Sequence, residues 1–417
     1  MSLFQHLLLV ISALAPYAEA FPAIVANDAY RRPTAPTATG VDHELRHLHE
    51  WADSRGIVSR VAVQDAPLAG GGRGLVALRD LAPGEVAVRV PLDATIRVGV
   101  GAATPCDEGI CDGEDGVHSN GYDGMDIEED DNWAGKLASR LCHQDSLGKE
   151  SAFWEYMTIG LPKDSPRTIC RWTSSERLAL QDDALVNESF ENAAWRRRQL
   201  TNHRQSATSD PSNNNNNVSS RRFLLYLDLV CSRTLKGRDG SRNLVPIIDN
   251  ANHCPAEAGG GAFVVDTIND SISLIAGNRG VKAGEAVTLD YGGRRSEDYL
   301  LHYGFVPDRC PSDSVMVRVG SNGDDRAGVM TKVRWDDCSN FGGHADENLR
   351  MACSSLLASY ETSLGEDVSL LSTVGSAVRN AQEEEALRAA LSYRIAKKSL
   401  LSQAAGVRAS AAAFTAL

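Results

Sequence analysis

Asn243-Leu244-Val245-Pro246-Ile247-Ile248-Asp249-Asn250-Ala251-Asn252-His253-Cys254-Pro255 is the stretch on which the fold turns. An apolar run delivers two polar side chains, Asn252 and His253, to one point of the chain. Taken alone, an Asn-His pair is more often a helix cap or an ordinary loop than a site. No Cys/His/Asp cluster accompanies His253 at a ligand spacing, so a metal centre is not expected there.

The segments on either side change that reading. Upstream lies Gly72-Arg73-Gly74-Leu75-Val76-Ala77, with Leu81-Ala82-Pro83-Gly84-Glu85 shortly after it. Glycine permits a backbone path that brings N–H and C=O groups close to a ligand. This Gly-rich stretch lacks the Lys and Ser/Thr of a phosphate-cradling loop, and by itself it fits a hairpin of short strands around a tight turn. Downstream lies Gly284-Glu285-Ala286-Val287-Thr288-Leu289-Asp290-Tyr291-Gly292, then Tyr299-Leu300-Leu301-His302-Tyr303-Gly304-Phe305-Val306. A strand followed by a helix ending in aromatics would ordinarily mean core packing.

Together and in this order, the three segments resemble the SET domain of the plastid Rubisco large-subunit lysine methyltransferase group and its non-plastid relatives. The resemblance covers roughly residues 42–309. Trp51 and Gly56 look like the family's opening helix, and Phe153-Trp154-Glu155-Tyr156-Met157 through Leu161-Pro162 like its FWxxYLxxLP stretch. Arg171-Trp172-Thr173 through Leu178 is similar to the segment that follows. Ser232-Arg233 matches an SRxF element with Leu235 in place of the aromatic. Asp249, Asn252 and His253 match DxxNH, and Tyr291 lies 38 residues beyond His253. The tail Arg294-Arg295-Ser296-Glu297-Asp298 departs from the usual [KR]-S-N-x-E, with Ser296 where Asn stands.

The resemblance implies an α+β fold: a SET domain of short β-sheets with a C-terminal pseudo-knot and an inserted helical region, then a small α-helical domain. It implies S-adenosylmethionine as cofactor and transfer of a methyl group to a lysine of a non-histone protein. Tyr291 and Tyr303 would be the catalytic pair, Tyr303 lining the lysine slot. Arg73, Gly74, Leu75, Arg233, Asp249, Asn252, His253 and Tyr291 would form the cofactor site, Asp249 by holding the loop. No metal is implied. A free lysine titrates at about 10.4, so the site must favour the neutral amine. Rubisco large subunit or aldolase is the implied protein partner, and a monomer is expected. Two rival readings share the fold: a protein-histidine methyltransferase, whose imidazole is already largely neutral at pH 7, and a non-catalytic SET-like binding protein.

Outside these segments the pattern gives the organisation. Leu45, Leu48 and Trp51 recur every three residues, as on a helix. Trp133 to Gly160 and Ser174 to about Arg198 read as helical. Phe223, Leu224, Leu227, Val230 and Cys231 share another helix face. His203 to Ser220, with Asn213 through Asn217 in succession, reads as a loop. Residues 104–131 hold 11 acidic and no basic side chains, a self-repelling solvated insertion. The expected domains are 41–309, with inserted helices over 133–230, and a helical region over 310–417. Leu356, Leu370, Leu371, Leu387, Leu391 and Ile395 supply the apolar faces of that region.

The chain of 417 residues carries a net charge of -13, from 42 basic and 55 acidic side chains. That excludes a general nucleic-acid binder, which needs a basic surface. Leu7 to Leu14 has the length of a signal-peptide core, too short to span a bilayer. Ala18-Glu19-Ala20 offers a cleavage site before Phe21. A signal peptide over 1–20 is therefore expected, with no stable membrane insertion after cleavage. Phe21-Pro22-Ala23, with Arg31 and Arg32 in an Ala/Thr/Pro-rich stretch to residue 40, resembles the two-part plastid presequence of complex-plastid algae. Plain secretion is the alternative. Nine cysteines without a CxxC pair suit a reduced compartment.

Overall fold

The structure is a computed structural model that describes residues 43–65, 72–99, 132–209, 219–237, 239–308, 310–321, 324–335, 347–377 and 380–406. The expected presequence over 1–40, the acidic run 104–131 and the Asn213–Asn217 stretch lie outside the described residues. The described chain divides into two compact units, residues 43–166 with 194–292, and residues 167–193 with 293–406.

The first unit opens on α1, His43–Ser54. Leu45, Leu48, Trp51 and Ala52 are its buried face, and Gly56, at φ +73°, ends it as only glycine does without strain. β2 (Val61–Asp65) pairs antiparallel with β3 (Arg73–Ala77), Val63 opposite Leu75, and β10 (Ala286–Val287) adds to the far edge of β3. A second sheet has the order β1-β4-β9-β8, from Val58–Ser59, Val86–Pro91, Ser271–Ile275 and Ala262–Asp266. Val88 and Val90 face Leu274 and Ile272 across it, all four fully buried. A third small sheet joins β5 (Ile96–Val98), β7 (Arg242–Leu244) and β6 (Thr234–Lys236) in the order β5-β7-β6.

The turn at Leu81–Glu85 forms as expected. Gly84 has φ +74°, the Glu85 N–H returns to the Ala82 carbonyl at 3.0 Å, and Pro-Gly in the centre suits that geometry. The hairpin expected at the Gly-rich stretch is that of β2 with β3, and the strands on either side of the Leu81–Glu85 turn do not pair. β3 and β4 belong to different sheets, because their edges are taken by β10 and by β9. Helices α2 (Trp133–Leu147) and α5 (Ser220–Arg233) pack on the core through Leu137, Leu141, Phe223, Leu227 and Val230.

α4, Asp183–Ser209, extends beyond the expected end of its helical pattern. His203 was expected in a loop, but it is a buried helical residue, bonded to Ser139 at 2.8 Å and stacked on Phe223 at 4.3 Å. Polar composition signalled a loop; one ring packed on another overrides it.

The second unit contains α3 (Ser174–Leu178), the start of α4, α6 (Ser296–His302) and three C-terminal helices, α7 (Glu347–Ser359), α8 (Leu364–Ala377) and α9 (Ala381–Ala404). Its boundary does not follow the expected division at 309/310. Leu300 and Leu301 share one core cluster with Ile169, Trp172, Leu180, Ala386, Ala390 and Tyr393, so α6 goes with the C-terminal helices. Nor is the 310–417 region helical throughout. β11 (Ser314–Ser321) and β12 (Asp324–Arg334) form an antiparallel ribbon, with Val317 and Val333 buried in a cluster with Leu349 and Leu400.

Candidate functional site

The site is built on a sharp reversal after β7. Ile247 adopts φ +68°, ψ -55°, and the Ile248 N–H bonds to the Pro246 carbonyl at 2.8 Å, closing a γ-turn. That conformation is strained for a buried β-branched residue, and such strain gathers at functional positions. A single 3-10 turn, Ile248–Asn250, follows. It turns Asp249 inward and sends Asn252 and His253 on.

The Asp249 carboxylate has no exposed surface. Its Oδ2 accepts from the Tyr156 hydroxyl at 2.8 Å and its Oδ1 from Asn250 Nδ2 at 3.0 Å. Arg233 Nη1 donates to the Asp249 backbone carbonyl at 2.5 Å and lies 3.9 Å from Oδ2. Burial pushes the Asp249 carboxyl up to about 6, against the opposing pull of Arg233 and Tyr156. Burial, and then the Asp249 charge, pushes the Tyr156 hydroxyl well above its ordinary value. Asp249 and Arg233 thus hold the turn.

Asn252 Nδ2 donates to the Arg73 carbonyl at 3.1 Å. The Arg73 guanidinium in turn donates to the Ile159 carbonyl. This fixes the Arg73-Gly74-Leu75 backbone of β3 against the Asn252 turn, with Leu75 buried beneath it.

Residues 288–290 then pass between the two arms of the 252–261 loop. On one side the Leu289 N–H bonds to the Asn252 carbonyl at 2.9 Å and the Cys254 N–H to the Leu289 carbonyl at 3.1 Å. On the other, the Gly261 N–H bonds to Thr288 at 3.0 Å and the Asp290 N–H to Gly261 at 2.8 Å. The parallel bridge of His253 with Leu289 completes this threaded passage, a departure from the usual unthreaded topology. A Cβ on Gly260 would stand 1.9 Å from the Cys254 carbonyl oxygen, and one on Gly261 2.3 Å from that of Ile275. Glycine alone allows the backbones to come so close.

The passage delivers Tyr291. Its N–H donates to His253 Nδ1 at 3.3 Å, and its hydroxyl donates to the Ala251 carbonyl at 2.8 Å. The two rings lie 5.1 Å apart at 46°. An accepting Nδ1 requires the His253 imidazole to be neutral, with its proton on Nε2. Among the described residues, no group of three or more His, Cys, Asp or Glu could hold a metal ion.

The structure therefore brings together Arg73, Gly74, Leu75, Arg233, Asp249, Asn252, His253 and Tyr291 in the first unit. Tyr303 belongs to the second. There it caps α6, with Gly304 at φ +85° behind it and the Gly304 N–H bonded to the Tyr299 carbonyl at 2.8 Å. Its ring is 5.8 Å from Tyr299 and 6.1 Å from Phe305, and the Arg294 guanidinium stands 5.2 Å over it. Ser296 bonds Asp313 twice at 2.7 Å, through its N–H and its hydroxyl. Three features went unread in the sequence: the strained Ile247, the Gly259-Gly260-Gly261 run, and the link from Tyr156 to Asp249. The triple glycine was a legible signal; the other two need coordinates.

These features define a mixed α+β architecture of SET-domain type, with small sheets, helical insertions and a threaded passage. It is related in fold to LSMT-type methyltransferases. A crystal structure of the SET domain of LSMT bound to lysine and AdoHcy matches with a TM-score of 0.59 and 17% identity, covering 88% of this chain and 91% of that one. A structure of Rubisco LSMT bound to AdoMet matches with a TM-score of 0.57 and 16% identity, covering 88% and 92%. At such identity the likeness is one of fold. No protein-family model matches the sequence, and no curated protein matches it.

Proposed function

We propose that the chain is an S-adenosylmethionine-dependent protein-lysine N-methyltransferase acting on a non-histone protein. The observation that carries this reading is the Tyr291 hydroxyl bonded to the Ala251 carbonyl, one residue from Asn252 and at the threaded passage. Having donated its proton there, the hydroxyl oxygen has only acceptor capacity left. An acceptor held in place favours the positive charge of a sulfonium methyl and of the product amine.

The residues fit the cofactor. Backbone groups of Arg73 to Leu75, the Asn252 side chain and the neutral His253 ring offer donors and acceptors beside the apolar Leu75 and Leu289. When bound, S-adenosylmethionine supplies a methyl group open to in-line attack by an amine. The chain's own part is alignment, which by itself lowers a barrier substantially. Arg73, Asn252 and His253 hold the site's walls, and Tyr291 orients the reacting centre. For Tyr303, in the other unit, a role lining the lysine slot is proposed from the family resemblance. Rubisco large subunit and aldolase are the first protein substrates to try.

Calorimetry on the full chain should show one S-adenosylmethionine site that survives a chelator. Tyr291→Phe should keep fold and cofactor binding and lower methyl incorporation into a stromal extract by roughly 10²-fold or more, the scale of one oriented contact to a transition state. Tyr303→Phe should lower the rate less and change the number of methyl groups added. Mass spectrometry of the products identifies the modified residue. A folded Tyr291→Phe that works at the parent rate would overturn the role given to its hydroxyl.

A further inference from the structure

Tyr156 opens a π-helical turn, Tyr156–Gly160, and such turns are rare and frequent at functional sites. The two ends of this turn grip two sides of the candidate site. At its start, the Tyr156 hydroxyl donates to Asp249 Oδ2 at 2.8 Å. At its end, the Ile159 carbonyl accepts from the Arg73 guanidinium. The Arg73 carbonyl accepts from Asn252 Nδ2 at 3.1 Å. The bonds therefore close a ring: Tyr156 to Asp249, along the chain to Asn252, across to Arg73, and back to Ile159. Ala251, whose carbonyl accepts from Tyr291, lies inside it.

Nothing in the surroundings lets the Tyr156 ring move. It has no exposed surface, and it stacks on Trp51 at 5.9 Å and 12°. Trp51 is fixed by its own bond to the Ala152 carbonyl at 3.0 Å. A Cβ on Gly160 would come within 2.6 Å of Tyr156 Cδ2, so the ring lies directly on that glycine. A hydroxyl on so rigid a mount holds its partner at one height.

From this ring of bonds we infer that Tyr156 is a positioning residue for cofactor binding and methyl transfer, acting through Asp249 on Ala251, Asn252 and Tyr291. The inference rests on the proposed methyltransferase function. Three groups face the Asp249 carboxylate: Tyr156 from the π-turn, Arg233 from α5, and Asn250 from its own turn. The tyrosine bond favours the ionised form. Tyr156→Phe therefore loosens the turn and raises the pH at which Asp249 takes up its proton.

The test compares the full-length parent with Tyr156→Phe, well below either melting temperature. S-adenosylmethionine Kd should rise about tenfold, as expected for one lost bond to a charged group. The acidic limb of binding against pH should move to higher pH. Amide hydrogen exchange should quicken over residues 249–253 while α2 and α5 keep the parent's protection. A lower melting temperature alone, with Kd, acidic limb and exchange as in the parent, would mean Tyr156 is merely a core residue and overturns the inference. Failure of the parent to bind overturns the proposed function itself, whereas parent binding with an indifferent Tyr156→Phe overturns only this step. If Tyr156→Phe does not fold, Tyr156→Phe with Asp249→Asn removes the buried charge that has lost its Tyr156 donor. Kd and exchange of that pair are then judged against Asp249→Asn alone, with the same outcomes deciding.

Discussion

Asp249 has no solvent to stabilise its charge, so its neighbours and its burial set its protonation. Its carboxyl is pushed up to about 6, above the ordinary value that the unfolded chain restores. Between about 4 and about 6 the folded state therefore binds more protons than the unfolded one. Asp249's contribution to stability is greatest below that window and falls as pH rises through it. Asp249→Asn cannot ionise, so its stability relative to the parent should improve as pH rises across the same window. Denaturant midpoints of the two chains between pH 4 and pH 7.5 check this. A constant difference at every pH would mean that Asp249 titrates normally. Asp249 was legible as a motif residue in DxxNH. Tyr156 was legible in the same way, in the FWxxYLxxLP match, but the bond between the two was not, because Tyr156 lies 93 residues away and nothing local in either segment joins them.

At the scale of elements, α9 departs furthest from a simple amphipathic helix. Leu391 and Ile395 are buried as its pattern implies, but so are Arg394, Lys397 and Lys398. Arg394 and Lys398 share the carboxylate of Asp367 on α8: Lys398 Nζ at 2.6 Å from Oδ2, and Arg394 Nε at 3.1 Å from it. Thr362 supplies Lys398 with two further acceptors, its carbonyl at 2.6 Å and its hydroxyl at 3.0 Å. Lys397 turns instead to Glu297 of α6, at 2.7 Å. Asp367→Ala would strand two buried cations, and breaking such a pair lowers stability by about 3–5 kcal/mol. Replacing Arg394 and Lys398 by Met together with Asp367 by Leu should recover most of that loss, since no buried charge remains. Urea unfolding of both variants decides: equal midpoints would show that the charges contribute nothing. The apolar pattern of this segment singles out Leu387, Leu391 and Ile395 and says nothing of 394, 397 and 398. Only packing against α8 and α6 reveals them as internal.

For the whole molecule, we propose that residues 1–40, which lie outside the described residues, are a signal peptide followed by a plastid transit-like segment. A fluorescent fusion of that segment should reach the plastid in a complex-plastid alga. Signal accumulating in the medium would favour secretion, and a diffuse cytosolic signal would reject both. The sequence by itself determined the fold class and the order of the three deciding segments. It could do so because Gly74, Asn252-His253 and Tyr291 sit in runs that, taken together and in order, resemble the SET-domain pattern, although each run alone reads as an ordinary turn, loop or core segment. It also named Arg73, Gly74, Leu75, Arg233, Asp249, Asn252, His253 and Tyr291, but neither Ile247 nor the Gly259–Gly261 run. Tertiary structure alone decided how they are joined. The passage of residues 288–290 through the 252–261 loop depends on hydrogen bonds between segments about 27 to 37 residues apart. The Tyr156–Asp249 bond, the positive φ of Ile247 and the buried cations of α9 are likewise non-local. Propensity and periodicity report what a segment prefers on its own, whereas burial and pairing depend on what the rest of the chain places beside it.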